Sequence, residues 1–216
     1  MGLHSTLAGV VVQSEEGCEN SARKGLRMSH KLTIEEYIKF DKNALDRHEY
    51  FSGEIRVMVG NPDHACLCGN IAAHLHLKLH GSRYALFNSQ LRVKVPAAPP
   101  YRYPDVSVVD GEFVIEELQG VQLLVNPLLL IEVLSPSTAE YDLGKKFTEY
   151  KSIASFQEYL AISQTHPHVI RYFRHPNGFW VRHDIEGIEN EVLLESLSVL
   201  LPLSEIYDRV KFSAAS

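Results

Sequence analysis

Glu132 is the residue whose sequence surroundings point most clearly to chemistry. It interrupts the apolar run of residues 128–134, and alternate residues of a strand share a face, so Leu130 and Leu134 lie on its side. An ionised carboxylate buried among leucines is costly unless a cation or several N–H donors compensate it. The alternative is a carboxylate at the strand's end that water reaches. Functional sites gather at the carboxyl ends of strands in α/β sheets, which favours a functional role for Glu132.

Asp105 is the second candidate acid. It follows Tyr103 and Pro104 and enters a predicted strand over residues 106–109. If this strand neighbours that of Glu132, two carboxylates converge, and a divalent cation between them relieves their repulsion. Oxygen ligands of this kind suit Mg²⁺ or Mn²⁺. Taken alone, Asp105 is equally well explained as a turn-favouring residue after proline.

The helix predicted after Glu132 carries a candidate catalytic cation. Asp142, Lys146 and Tyr150 are spaced by four residues and therefore share one helix face. A Lys146 side chain that reaches over the carboxylates would position an attacking water and neutralise charge in the transition state. The alternative is a surface ion pair between Asp142 and Lys146, worth ~0.3–0.5 kcal/mol.

His64 is a candidate metal ligand near the start of a predicted helix that Asn61 and Pro62 open. The positive end of the helix favours an uncharged imidazole, which is able to bind a metal. The alternative is a helix-capping or core histidine. Cys66 and Cys68 are interpreted as small packed groups. The sequence contains none of the phosphate-binding loop, the GxGxxG motif after a strand, or the GxSxG motif.

The elements that position these residues form a mixed α/β pattern around a central sheet. Thr33 and Glu36 predict a capping box, and Ser52-Gly53 predicts a hairpin turn. A four-residue repeat of apolar side chains predicts a long helix that ends near Gly81. The unbroken apolar run 128–134 is typical of a strand covered on both faces. Other strands are predicted over 84–87, 91–95, 106–109, 159–163, 169–174 and 179–183, with helices from about 137 to 153 and near 203–208.

Composition limits the function classes. The 216 residues are 45% hydrophobic and carry a net charge of −6, which predicts one domain over residues 31–212 after a disordered extension over residues 1–30. An acidic chain does not hold nucleic acid by overall positive charge, so any contact with DNA must be local. No apolar run is long enough to span a membrane. Three cysteines and no secretory signal predict a cytoplasmic location. The candidate rim for phosphate contacts is Arg92, Lys94, Arg102, Lys145, Lys146 and Lys151.

These motifs resemble a bacterial family of restriction endonuclease-like proteins within the PD-(D/E)xK nuclease superfamily. The resemblance runs from about residue 33 to 212, and its most specific part is the run from Glu132 to Thr138, Glu-Val-Leu-Ser-Pro-Ser-Thr. The other segments that carry it are Gly53-Glu54-Ile55, His64, Tyr103-Pro104-Asp105, Asp142, Lys146-Phe147, Tyr150 and Phe156-Gln157-Glu158-Tyr159.

The resemblance implies a restriction endonuclease-like core, in which a central mixed β-sheet is flanked by helices. It also implies a Mg²⁺-dependent endodeoxyribonuclease that hydrolyses DNA phosphodiester bonds and forms a homodimer. Asp105, Glu132 and Glu54 would hold Mg²⁺ or Mn²⁺, with His64 as an additional candidate ligand. The catalytic residues would be Asp105, Glu132, Lys146 and Glu54.

One position departs from the superfamily pattern. Two residues after Glu132 the pattern has lysine, whereas this chain has Leu134. Some families of the superfamily place the lysine on the next helix, where Lys146 is the candidate. Lys145 is the weaker choice because it points about 100° away on the helix. The departure keeps two alternatives open: a catalytically degenerate nuclease fold that binds DNA or protein as a regulatory module, and a metal-dependent hydrolase of another substrate.

Overall fold

The computed structural model describes residues 31–58 and 60–212. The expected extension, residues 1–30, lies outside the described residues. The chain divides between Val59 and Gly60 into two compact units. The single domain expected over residues 31–212 stays a prediction. Within the described ranges, no helix combines the length and the apolar character needed to cross a membrane.

Elements are numbered in chain order. The helices are α1 (Ile34–Asn43), α2 (Pro62–Leu79), α3 (Ala139–Tyr141), α4 (Phe147–Tyr150) and α5 (Leu203–Ile206), with a π-helical turn over Asp142–Lys146. The strands are β1 (His48–Phe51), β2 (Glu54–Val57), β3 (Tyr84–Asn88), β4 (Arg92–Val93), β5 (Val106–Asp110), β6 (Ile115–Leu118), β7 (Val121–Leu124), β8 (Leu129–Leu134), β9 (Glu158–Ser163), β10 (His168–Arg174), β11 (Trp180–Glu186), β12 (Glu191–Leu194) and β13 (Val199–Pro202).

The first unit contains α1 and the β1–β2 hairpin. Its capping box is observed: Thr33 N–H donates to Glu36 Oε2 at 2.8 Å, and Glu36 N–H donates to Thr33 Oγ1 at 3.2 Å. The hairpin turn is observed at Ser52-Gly53, where φ is 50° and 97°. Positive φ at both central residues matches the right-handed twist of the strands, which explains a glycine there.

The second unit contains a six-stranded mixed sheet in the order β11-β10-β9-β8-β5-β3. The β8–β9 pair is parallel and the other neighbours are antiparallel. Every residue of β8 is buried, so the prediction of a strand covered on both faces is confirmed. One face packs against Leu67, Ile71, Leu75 and Leu79 of α2, and the other packs against the segment that includes α4.

The helical segment after β8 differs from the continuous helix predicted to about residue 153. It consists of α3, the π-helical turn Asp142–Lys146 and α4, and it ends at Tyr150. A π-helical turn inserts extra backbone into a helix and is frequent at functional sites. Here its first and last residues, Asp142 and Lys146, are both buried. Both charged side chains at the ends of this turn, one aspartate and one lysine, therefore lie in the interior.

Candidate functional site

Asp105 directly precedes β5, and Glu132 lies in the neighbouring strand β8, as their predicted convergence requires. In the antiparallel β5–β8 pair Val106 lies opposite Ile131, so the register sets Asp105 across from Glu132. The Val133 N–H donates to Asp105 Oδ2 at 2.8 Å, which fixes this carboxylate at the mouth of its strand. Only 7% of Asp105 and 4% of Glu132 is exposed. Two carboxylates with little access to water thus occupy one end of the paired strands.

Lys146 lies beside Glu132. This chain has Leu134 where the superfamily pattern has its lysine. The Lys146 Nζ lies 2.8 Å from Glu132 Oε1 and 3.5 Å from Asp142 Oδ1, and only 3% of the residue is exposed. The Lys145 side chain is 65% exposed, and its Nζ lies 3.9 Å from Glu149 Oε1. The structure therefore brings Lys146 to Glu132 and turns Lys145 outward.

Two tyrosines complete the surroundings of this lysine. Tyr150 OH donates to Glu132 Oε1 at 2.6 Å, and Tyr159 OH donates to the Asp142 carbonyl at 3.2 Å. Burial, followed by the nearby charges of Glu132 and Asp142, raises the pKa of Tyr159 well above its usual value. Tyr159 is consequently a neutral hydrogen-bond donor at ordinary pH and is not available as a base.

Asp105 is held in its charged form despite its burial. Burial by itself raises the pKa of this carboxyl, but the hydrogen bond and electrostatic attraction of His64 oppose it. The Val133 N–H and the positive charge of Lys146 act in the same direction, and the resulting pKa of Asp105 is lower than usual. A buried acid that remains a carboxylate is the form that a metal ion binds.

The charges of this group fit a divalent cation. Asp105, Glu132 and Asp142 are buried carboxylates, and Lys146 is the buried cation that attracts all three. The three carboxylates outnumber this lysine, and carboxylate oxygens are the donors that Mg²⁺ prefers. The donor types therefore fit the cation that the resemblance implies. Its binding would require Glu132, whose Oε1 contacts Lys146 and Tyr150, to turn toward the ion together with Asp105.

His64 joins this group from the start of α2. Asn61 caps the helix by accepting the His64 N–H at 2.8 Å. His64 Nε2 lies 3.3 Å from Asp105 Oδ2, and its Nδ1 lies 3.5 Å from Cys68 Sγ. The His64 side chain is 24% exposed, so the group meets solvent on this side. The structure thus places the predicted candidate ligand against Asp105.

Cys68 is the site neighbour that sequence reasoning missed. In the part of the chain that the structure describes, one set of His, Cys, Asp and Glu side chains is close enough to hold a metal ion: His64, Cys68 and Asp105. Their ligand atoms lie within 4.8 Å of one another. The available signal was the four-residue spacing of His64 and Cys68, which puts both on one helix face.

The other predicted positions fall elsewhere. Glu54 is the exposed first residue of β2, in the first compact unit, and its role stays a prediction. The proposed rim is wrong at Arg102, which is 3% exposed and lies 3.1 Å from Glu149 Oε2. It is also wrong at Lys146, which faces Glu132. Lys145 and Lys151 are exposed, as a surface that contacts phosphates requires.

Glu158 is fully buried, and its contacts indicate a structural role. It begins β9 and accepts from Arg171 Nε at 2.5 Å and from the backbone N–H groups of Glu195 and Ser196 at 3.1 Å each. These donors anchor the loop between β12 and β13 to the sheet. Unlike Glu132, Glu158 is held by an arginine and two backbone donors.

We expect Glu158→Ala to lower the free energy of unfolding by ~3–5 kcal/mol, because it breaks a buried ion pair and leaves Arg171 with only the half-exposed Glu195 carboxylate at 3.1 Å. Urea denaturation measures this change. The exposed Glu186→Ala serves as the matched control and should stay within ~0.5 kcal/mol of the wild type. Equal losses in the two variants would contradict the structural role.

Comparison with known proteins decides the family. Residues 34–204 match the Uma2 family, described as "Putative restriction endonuclease". The chain belongs to the Uma2 family. This confirms the restriction endonuclease-like family that the motifs resemble.

Two cyanobacterial proteins are similar to this Uma2 protein over most of its length. It is 30% identical over 183 residues to the uncharacterized protein slr1290 of Synechocystis sp., covering 84% of this chain and 94% of the relative. It is 32% identical over 162 residues to the uncharacterized protein sll1609 of the same organism, covering 74% and 91%.

The fold of the Uma2 chain is also found in a crystal structure. It is the structure of a protein described as a putative nuclease belonging to DUF820 from Anabaena variabilis, and the match has a TM-score of 0.67 at 18% identity. The match covers 83% of this chain and 99% of that chain. At this identity the likeness concerns the fold, and it confirms the mixed α/β class.

Proposed function

We propose that this Uma2 protein is a Mg²⁺- or Mn²⁺-dependent endodeoxyribonuclease that hydrolyses phosphodiester bonds of DNA. The observation that carries the proposal is the contact of 2.8 Å between Lys146 Nζ and Glu132 Oε1, on the strand next to Asp105. Two acids with a lysine beside them match the pattern of the PD-(D/E)xK superfamily that the motifs resemble. The family membership supports the same reaction class.

In this proposal Asp105 and Glu132 hold the cation, with His64 as a further ligand. When bound, a divalent cation polarises the phosphate and lowers the pKa of a coordinated water. Lys146 orients the attacking water and offsets negative charge that develops on the phosphate. Tyr150 fixes Glu132 through the hydrogen bond to Oε1. The assignment of Glu54 as a ligand rests on the sequence resemblance.

DNA would approach from the side on which His64 is exposed. Because the chain has a net charge of −6, its contacts with phosphates must come from local cations, and Lys145 and Lys151 are exposed candidates. Binding that depends on such contacts weakens as salt rises. The homodimer and the cytoplasmic location stay predictions, and sedimentation velocity tests the first.

The test of the proposal is cleavage of supercoiled plasmid with Mg²⁺, with Mn²⁺, and with a chelator. Cleavage should require either metal and should return when the chelator is titrated with excess Mg²⁺. We expect Asp105→Asn to raise the Mg²⁺ concentration for half-maximal cleavage by about 10–100-fold, since a charged ligand is lost.

The matched control is Asp110→Asn, at the other end of the same strand, where the carboxylate pairs with Arg83 at 2.6 Å. It should leave the Mg²⁺ requirement unchanged. An Asp105→Asn variant with the wild-type Mg²⁺ requirement would contradict the proposed ligand.

Binding without hydrolysis is the second candidate function. The observation that favours it is the near-complete burial of Lys146, which already pairs with Glu132 and Asp142. A structural triad of this kind would persist in a protein that only binds. Salt-sensitive DNA binding with no cleavage in either metal would identify this function and refute the nuclease proposal.

A further inference from the structure

We propose that Cys68, His64 and Asp105 form a binding site for a thiophilic divalent ion, of which Zn²⁺ is the natural example. Binding itself does not depend on the proposed nuclease activity; only its consequence for cleavage rests on that function. The site shares Asp105 and His64 with the proposed Mg²⁺ site and adds the Cys68 Sγ, a sulfur donor that the Mg²⁺ site lacks.

The distances between the donor atoms suit a tetrahedral ion. Bonds of ~2.0–2.3 Å to nitrogen, oxygen and sulfur place neighbouring ligand atoms roughly 3.3–3.8 Å apart in a tetrahedron. His64 Nε2 lies 3.3 Å from Asp105 Oδ2, and His64 Nδ1 lies 3.5 Å from Cys68 Sγ. Each distance lies in the tetrahedral range, and the two involve different ring nitrogens. A single ion takes one of these nitrogens, and the donor on the other side of the ring must then move closer from within 4.8 Å.

Binding needs only a small rearrangement. One ring nitrogen of His64 takes the ion, and the other two donors close around it, since all three ligand atoms already lie within 4.8 Å of one another. The Cys68 thiol loses its proton to solvent and binds as the thiolate, whereas Asp105 is already a carboxylate. The partly exposed face of His64 leaves room for water as a fourth ligand.

The donor set decides which ion is preferred. Thiolate and imidazole favour Zn²⁺ and Co²⁺, whereas carboxylate and water favour Mg²⁺. Asp105 belongs to both sets of ligands. When it binds an ion held by Cys68, it can no longer bind Mg²⁺ together with Glu132. We therefore expect Zn²⁺ to inhibit Mg²⁺-dependent cleavage, and Cys68→Ser to relieve this inhibition by about tenfold or more in Zn²⁺ concentration.

Cobalt titration of the full-length protein tests the site without reference to activity. A thiolate bound to Co²⁺ gives a near-ultraviolet charge-transfer absorption, and we expect the wild type to show it at one equivalent. Cys68→Ser and His64→Gln should lose the band. Cys66→Ser, two residues away on the same helix, is the matched control and should retain it, as should Cys18→Ser, at a position outside the described residues. Circular dichroism shows whether each variant is folded.

Glu132→Gln separates this inference from the proposed function. It should abolish cleavage yet keep the cobalt band, because Glu132 is not a member of the thiol-containing set. A wild type that shows no band, or a band that survives in folded Cys68→Ser, would overturn the site. A wild type that shows the band but cleaves plasmid in no metal would refute the nuclease proposal and leave the thiophilic site standing.

Discussion

Lys146→Met is expected to lower the rate of Mg²⁺-dependent plasmid cleavage by about a hundredfold to a thousandfold, the usual loss for one charge-stabilising group. Methionine keeps most of the aliphatic volume of the lysine but removes the ammonium that contacts Glu132 Oε1 at 2.8 Å. The attacking water then lacks its orienting donor, and the developing charge on the phosphate lacks a counter-charge. Initial cleavage rates at saturating Mg²⁺ measure the effect.

Lys145→Met is the matched control for this experiment. The residue precedes Lys146 in the same π-helical turn, and its side chain is mostly exposed. It should change cleavage far less and mainly at low salt, because at high salt this surface charge is screened in the wild type as well. The thermal midpoints of both variants should be recorded, since removing Lys146 leaves Glu132 and Asp142 without their buried cation. A folded Lys146→Met enzyme as fast as Lys145→Met would contradict the role of Lys146.

Glu132→Gln should abolish detectable cleavage at any Mg²⁺ concentration, because a neutral amide removes both a metal ligand and the charge that holds Lys146. The amide nearly preserves the shape of the side chain, so the two cores that flank β8 remain packed. This distinguishes the variant from Asp105→Asn, for which excess Mg²⁺ should restore part of the rate.

The control for this variant is Glu140→Gln, on the exposed surface of α3. It makes the same chemical change eight residues along the chain and should cleave plasmid at the wild-type rate. Residual Mg²⁺-dependent cleavage by purified Glu132→Gln would show that the carboxylate is dispensable. The nuclease assignment would then need another centre.

The central strand was predictable because a strand buried on both faces needs an unbroken run of apolar residues. The apolar run 128–134 admits a charge only at Glu132, and the structure buries every residue of β8. Capping and turn residues likewise fixed α1, the start of α2 and the β1–β2 hairpin. Each of these signals acts over a few residues and needs no knowledge of distant contacts.

Features that depend on contacts between distant residues were harder to predict from the sequence. The hairpins β6–β7 and β12–β13 were not predicted, because β6 carries Glu116 and Glu117 and its pairing depends on β7. The π-helical turn has no residue signature in Asp142–Lys146 comparable to a cap. Arg102 was placed on the surface, because its partner Glu149 lies 47 residues away along the chain.

Some residues of the candidate site were predictable from local sequence patterns, and others only from long-range packing. Glu132 and Asp105 stood out by their positions at predicted strands, and Lys146 by its spacing along the following segment. Cys68 did not, because its neighbour Asp105 comes from another element. Only the packing of α2 against the sheet brings this thiol close to a carboxylate.

Anomalous diffraction from crystals soaked in Mn²⁺ tests the central claim most directly. We predict one strong peak within bonding distance of both Asp105 and Glu132 in the wild type, and no peak there in Glu132→Gln. A wild-type crystal whose manganese touches neither carboxylate, or whose Glu132 contacts Lys146 with no manganese beside it at saturating concentration, would contradict the account.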